Sequence, residues 1–255
     1  MVDSAVEALR RHADVLSPNM SGESSRRRER TFFSGIAIAV ALTVFVGFAP
    51  TFYLHSAAGG RNVLTPSLMV HGVAFSAWIV LLVAQTSLVA ARRVELHRAL
   101  GFAGAIFGIV MLAAGAYVAI DRARSGLFVP AGNGSIHAFL TIPMATLVVF
   151  PVLLGAAVYL RRRAAAHKRL MLIATFEMMT AAVARWPVIS AYGLPAAFGV
   201  TDLFVVAIAI YDFATFKRLH PATLWGGLFL IASQPLRVVI GGTSTWLAFA
   251  NWLIG

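Results

Sequence analysis

The chain has 255 residues, of which 59% are hydrophobic, 12% are charged and none is cysteine, and its mean hydropathy is +0.81. This composition is too apolar for a soluble domain of that size, and the lack of cysteine excludes disulfides, thiolate metal sites, iron–sulfur clusters and covalently attached c-type haem. The net charge of +11 comes from basic residues in short segments between apolar runs, which is typical of membrane topology and argues against nucleic acid as a partner.

The predicted elements follow from the apolar runs. Residues 1–30 form a polar tail that is predicted to be disordered or a short amphipathic helix. Seven runs near the length that crosses a bilayer follow, and they predict transmembrane helices at 31–54, 68–91, 99–120, 138–160, 170–190, 198–215 and 222–241. Residues 242–255, with Trp246 and Trp252, are predicted to be an interfacial segment. The expected fold is all-α, a polytopic seven-transmembrane-helix bundle over residues 31–241.

Basic residues predict the orientation of this bundle. Fourteen of them lie directly before the first span, from Arg26 to Arg30, or at the turns after the second, fourth and sixth spans, whereas three lie on the other side: Arg61, Arg122 and Arg124. Because cytoplasmic loops carry the excess of Lys and Arg, the tail is expected to be cytoplasmic, with the N-terminus inside and the C-terminus outside.

The sequence also contains a repeat of two helical hairpins. The second and third spans carry His71 at the outer entrance and His97 four residues after the last arginine of the inner turn. The fourth and fifth spans carry His137 and His167 at the corresponding positions. Since both hairpins have the same orientation, a parallel repeat about an axis along the membrane normal is predicted.

Several motifs are similar to those of a large bacterial family of predicted multi-spanning membrane proteins of unknown function. The matching residues lie within 68–190 and are His71-Gly72, Gln85, Arg92-Arg93, His97-Arg98, Gly101, the segment from His167 to Met171, and Arg185. The resemblance implies a fold and a location in the bacterial cytoplasmic (inner) membrane as a multi-pass protein. It implies no established activity, so function has to be argued from the polar residues.

Polar residues within the apolar runs are the candidate site, because an unpaired charge in the bilayer is costly. Counting along the helices brings six of them to one level in the outer half: His71, His137, Arg185, Asp202, Gln234 and Arg237. A second, inner layer is expected to contain Gln85, Glu177, His97 and His167. Asp202 could form an ion pair with Arg185 or Arg237, which leaves a purely structural role open.

Three kinds of site fit these residues. The favoured hypothesis is haem b for transmembrane electron transfer, with His71 and His137 as axial ligands, Arg185 and Arg237 beside the propionates, and a quinone or other redox partner. The inner histidine pair would then hold a second haem. A divalent metal ion on His71, His137 and Asp202 is the second hypothesis, although the arginines would repel it.

The third hypothesis is a transporter or binder of an anionic small molecule or lipid, with arginines that clamp the anion. The chain has no phosphate loop, nucleophile elbow or zinc-protease motif, which argues against a hydrolase. The sequence leaves open whether the protein is an enzyme.

Overall fold

The structure, a computed structural model, describes residues 2–59, 64–126 and 135–255, with side chains from Glu23 onward; Arg61, used in the orientation argument, lies outside these ranges. The described residues contain no strand. Their helices are α1 (Val2–Phe48) with a π-helical end (Ala49–Tyr53), α2 (Pro66–Ala90), α3 (Val94–Arg124), α4 (Ile136–Phe139), α5 (Thr141–Tyr159), α6 (Ala164–Val183), α7 (Pro187–Ser190), α8 (Gly193–Phe216), α9 (Pro221–Gly241) and α10 (Ser244–Ile254). Helical backbone therefore continues from the tail into the first span.

Six helices among the described residues are long and apolar enough to cross a membrane. Each overlaps a predicted span, and they are Glu23–Tyr53, Pro66–Ala90, Val94–Arg124, Ile136–Tyr159, Gly193–Phe216 and Pro221–Gly241. Hydrocarbon requires roughly 20 apolar residues with internally satisfied backbone groups, and all six meet that requirement. The chain is a multi-pass helical membrane protein.

Helix α6 differs from the other long helices because it is polar and lies at the centre. It contains Lys168, Arg169 and Glu177, and 13 of its 20 residues are buried. It packs against α1, α5, α8 and α9, and the indole N–H of Trp78 on α2 donates to its Thr175 hydroxyl at 3.2 Å. A helix surrounded by protein does not need a lipid-compatible surface, so its charges are tolerated where they are paired.

The predicted span at 170–190 is wrong in its limits. Helix α6 begins six residues earlier, at Ala164, and ends seven residues earlier, at Val183. Charge patterning assigned Lys168 and Arg169 to a solvated turn, but Arg169 is fully buried within the bundle. At the other end the helix stops before Trp186-Pro187, since proline disfavours helical backbone in the residue before it.

The remaining long helices form a ring around α6. Consecutive neighbours in the ring are α1, α2, α3, α5, α9 and α8. The ring closes where Phe32 and Phe33 of α1 contact Tyr211 of α8, with ring centroids 4.2 and 5.5 Å apart. Gly47 lets α1 approach the centre closely, because a Cβ there would overlap the carbonyl group of Ala182 on α6.

Residue choice at the helix starts explains where the chain re-enters the bundle. Helix α9 starts at Pro221, and the Nδ1 atom of the preceding His220 accepts from the backbone N–H of Ala222 at 3.1 Å. Proline suits the first helical position, and the N-cap side chain satisfies a backbone donor that would otherwise have no partner.

The predicted interfacial segment 242–255 forms α10, in which Ala250 is buried and Trp252 is exposed.

Candidate functional site

A buried ion pair between α6 and α9 lies at the centre of the polar residues. Arg237 Nη2 donates to Glu177 Oε2 at 2.6 Å and to the hydroxyl of Ser233 at 2.8 Å. Thr146 on α5 donates to Glu177 Oε1 at 2.9 Å. The side chains of Arg237 and Glu177 are 3% and 1% exposed. Three helices are therefore joined by one compensated pair of charges.

This pair corrects the predicted position of Glu177. The sequence analysis put Glu177 in the inner layer and Arg237 in the outer group, yet the two side chains are in contact. Glu177 lies thirteen residues after the first residue of α6, which is about 20 Å of helix rise. The predicted depth of Glu177 was too shallow because the predicted span began at residue 170, whereas α6 begins at Ala164.

Asp202 and Gln234 form a second polar contact in the outer half. Gln234 Nε2 donates to Asp202 Oδ1 at 2.7 Å. The hydroxyls of Thr201 and Thr180 lie 3.3 Å apart, which sets α8 and α6 at the same level here. Arg237, one of the two ion-pair partners considered for Asp202, is paired with Glu177 instead.

A cationic group lies at the end of α2, α3 and α6 that the charge pattern predicts to face outside. His71 contacts Phe75, with ring centroids 4.2 Å apart, and lies within electrostatic range of Arg185. Arg185 lies within electrostatic range of Arg122 and stacks on Phe48, 4.6 Å from the ring centroid. The buried Nδ1 atom of His71 has no hydrogen-bond partner among the described residues. We call His71, Arg122 and Arg185 the outer cationic cluster.

His137 has a different environment from His71. Its Nδ1 atom lies 3.4 Å from the hydroxyl of Ser135, and its carbonyl oxygen accepts from the indole N–H of Trp246 on α10 at 2.8 Å. Within the part of the chain that the structure describes, no group of three or more His, Asp or Glu could hold a metal ion. His71, His137 and Asp202 therefore do not form the joint ligand set that the metal hypothesis requires.

Three of the four predicted inner-layer residues do come together. The rings of His97 and His167 have centroids 6.2 Å apart, and His167 Nδ1 lies 2.8 Å from the carbonyl oxygen of Ala157. The amide of Gln85 lies between α2 and α3. In the orientation that satisfies both of its ends, it donates to the carbonyl oxygen of His97 at 3.1 Å and accepts from the Gly101 N–H at 2.9 Å.

The sequence analysis missed a second buried ion pair at the inner end of the bundle. The guanidinium of Arg169 on α6 is paired with Asp212 on α8, and both side chains are 0% exposed. Thr223 donates to Asp212 at 2.5 Å, and the backbone N–H of His220 donates to it at 3.2 Å. Burial, followed by the charge of Arg169, lowers the pKa of His220 from its ordinary value. The available signal was an aspartate inside an apolar run, which is costly unless it is paired.

The comparisons with known proteins add no family to this description. No protein-family model, no curated protein and no solved structure matches the chain. The resemblance of residues 68–190 to a bacterial membrane family therefore stays an expectation based on motifs, and the candidate function rests on the geometry described above.

Proposed function

We propose that the protein is a seven-span protein of the bacterial cytoplasmic membrane, with its N-terminus inside and its C-terminus outside. Helix α6 would be the seventh span. Its 20 residues give about 30 Å of helix, which is the thickness of the hydrocarbon core. The basic residues at the turns support the orientation. These basic residues lie at the proposed inner ends of α2, α3, α5, α8 and α9.

The contact between His97 and His167 supports the proposed repeat of two hairpins. Each is the fourth residue of its helix, α3 and α6 respectively. Residues related by a two-fold axis contact each other when they lie near that axis. The two ring centroids are 6.2 Å apart, so residues at equivalent repeat positions lie close together.

We propose further that the outer cationic cluster binds an anion, either a small molecule or a lipid headgroup. The observation that carries this proposal is the position of Arg185, which lies near a second arginine and a histidine and has no carboxylate partner among the described residues. Two neighbouring guanidiniums repel each other, even where one of them, Arg185, is exposed at the surface of the bundle. A bound anion would relieve that repulsion.

The chemistry of the cluster suits a phosphate or carboxylate group. A guanidinium presents donors in a planar fork that matches two oxygens of either group. His71 adds a ring nitrogen that lacks a protein partner. Phe48 keeps Arg185 in place by a cation–π contact, so part of the side-chain ordering is present before a ligand binds.

The test is ligand-dependent stability of the full-length protein in lipid nanodiscs. Inorganic phosphate or succinate at about 100 times its Kd should add about 2.7 kcal/mol to the free energy of unfolding. Arg185→Gln should abolish that gain, and Arg185→Lys should restore only part of it because lysine lacks the planar fork. Arg124→Gln is the matched control. Arg124 lies on the same side but outside the cluster. Its guanidinium donates to the carbonyl oxygen of Leu253 at 2.7 Å, as that of Arg185 donates to the carbonyl oxygen of Ala181.

Three results distinguish the possible ligand sources. Stabilisation by soluble anions that depends on Arg185 supports a small-molecule site. A phospholipid that co-purifies with the wild type and is lost from Arg185→Gln, detected by native mass spectrometry, supports a headgroup site. If neither occurs, or if Arg124→Gln has the same effect as Arg185→Gln, the anion site is refuted.

Haem-linked electron transfer to a quinone or other redox partner is a second candidate, and one observation favours it. The centroids of His97 and His167 are 6.2 Å apart, close to the separation of two imidazoles that bind one metal from opposite sides with bonds of about 2 Å. An absorption spectrum of the purified protein tests this candidate. A Soret band that shifts on dithionite reduction and disappears in His97→Ala would support it, and a spectrum without such a band would refute it.

A further inference from the structure

Asp202 is a partly buried carboxyl group of the bundle that is hydrogen-bonded by an amide and not paired with a cation. It is the tenth residue of α8, about 14 Å of helix rise from the outer end. Its side chain accepts a hydrogen bond from Gln234 Nε2 at 2.7 Å. Four ion pairs occur among the described residues, and Asp202 belongs to none of them.

The charged groups on the helices packed against α8 are already engaged. Glu177 on α6 and Arg237 on α9 form their own ion pair at 2.6 Å, and Arg169 on α6 is paired with Asp212. The outer half of α1, from Thr31 to Phe48, and the short helix α7 contain no charged residue. An ionised Asp202 would therefore add one uncompensated negative charge to the membrane domain.

A carboxylic acid fits a carboxamide better than a carboxylate does. The amide N–H donates to the carbonyl oxygen of the acid, and the acid O–H donates to the amide oxygen, so both polar ends are satisfied. An ionised carboxylate has no donor for the amide oxygen, and its burial costs more. Gln234 is 4% exposed, so water does not readily replace the missing bond.

We propose that Asp202 is a proton-binding site that carries its proton at neutral pH and releases it reversibly at higher pH. The ligand is the proton itself, held by an acid–amide pair between α8 and α9. The site is separate from the outer cationic cluster and does not depend on anion binding there. It gives the outer half of the bundle a neutral carboxyl whose ionisation would introduce a charge next to the Glu177–Arg237 pair.

Carbodiimide labelling tests this site directly. A protonated carboxyl adds across one C=N bond of dicyclohexylcarbodiimide: its oxygen bonds to the central carbon, and its proton moves to nitrogen. The resulting O-acylisourea rearranges to a stable N-acylurea, so the whole reagent is added and nothing leaves. The full-length protein in nanodiscs is treated over a range of pH, and peptides are analysed by mass spectrometry.

We expect an adduct on Asp202 at neutral pH. In the alkaline range, where the site has lost its proton, labelling should fall about tenfold for each further pH unit. Glu177 and Asp212 should remain unlabelled, because each is paired with an arginine, which favours the carboxylate form. Asp202→Glu should still be labelled at position 202. No adduct on Asp202 at any pH, or equal labelling of Glu177, would overturn the proposal.

A second measurement keeps the test independent of reagent access. Asp202→Asn replaces a neutral acid by a neutral group of nearly the same shape, so the melting temperature at neutral pH should change little. Glu177→Gln is the matched control, because it leaves the buried Arg237 without a counter-charge and should lower the melting temperature strongly. If Asp202→Asn destabilises as much as Glu177→Gln, Asp202 is ionised and the proposal is wrong.

Discussion

Replacing Asp212 by asparagine, which exchanges one carboxylate oxygen for an amide group, should destabilise the bundle more than any other such isosteric substitution at its inner end. Asp212 accepts from Arg169 Nε at 3.0 and 3.2 Å and from the Thr223 hydroxyl at 2.5 Å. Both charged side chains are 0% exposed. Asparagine keeps the size and one acceptor oxygen but leaves a buried guanidinium uncompensated. Removing one partner of a buried pair costs about 3–5 kcal/mol.

Two control variants separate the charge from the hydrogen bonds. Thr223→Val removes one bond to a charged group and should cost about 1.5–3 kcal/mol. Glu23→Gln breaks the ion pair between Glu23 and Arg92, in which the two side chains are 72% and 71% exposed. This substitution should lower the free energy of unfolding by about 0–1 kcal/mol. The measurement is the free energy of unfolding from SDS titration in mixed micelles, followed by tryptophan fluorescence. The reasoning fails if Asp212→Asn costs no more than Thr223→Val.

Three further predictions concern pH, packing and topology. The folded protein binds fewer protons at His220 than the unfolded chain, because folding lowers the pKa of this residue. The free energy of unfolding should therefore fall as the pH drops below about 6.5. His220→Asn, which keeps an N-cap acceptor, should reduce that pH dependence in thermal melts. Gly47→Ala should cost about 1–3 kcal/mol by pushing α1 away from α6, whereas Gly155→Ala, where a Cβ meets nothing within 4 Å, should be neutral or stabilising in the same SDS titration. A reporter fused after residue 126 should be active outside and one after residue 165 inside, and the opposite result at either point would contradict the proposed topology.

The positions of the apolar spans were the most predictable part of the fold. A helix that faces lipid has to be apolar over the thickness of the bilayer, and this property is directly readable from the sequence. Six such spans were predicted, and the structure has a long apolar helix at each of them. The central helix was placed too late because its fifth and sixth residues, Lys168 and Arg169, are charged. Charge patterning cannot separate Arg169, which is buried and paired, from the exposed arginines that precede it.

The candidate site was predicted in its residue types but not in its pairing. Helix depth can be counted from a sequence, and this brought Gln85, His97 and His167 to one layer. Which side chains face each other depends on the rotation of each helix about its axis. That rotation is set by helix packing, which cannot be read from a single sequence. That is why the sequence analysis did not pair Arg237 with Glu177 and expected His71, His137 and Asp202 to form one ligand set, which they do not form among the described residues.

The central position of α6 has a consequence for how the chain is made. Ribosomes deliver helices in sequence order, so α6 leaves the ribosome before α8 and α9, which carry the partners of Arg169 and Glu177. At the middle of a bilayer each unpaired charge costs about 2.5–3.5 kcal/mol on the insertion scale. The nascent α6 is thus a poor membrane segment until later helices arrive. The charges of α6 are compensated only once α8 and α9 have joined the bundle.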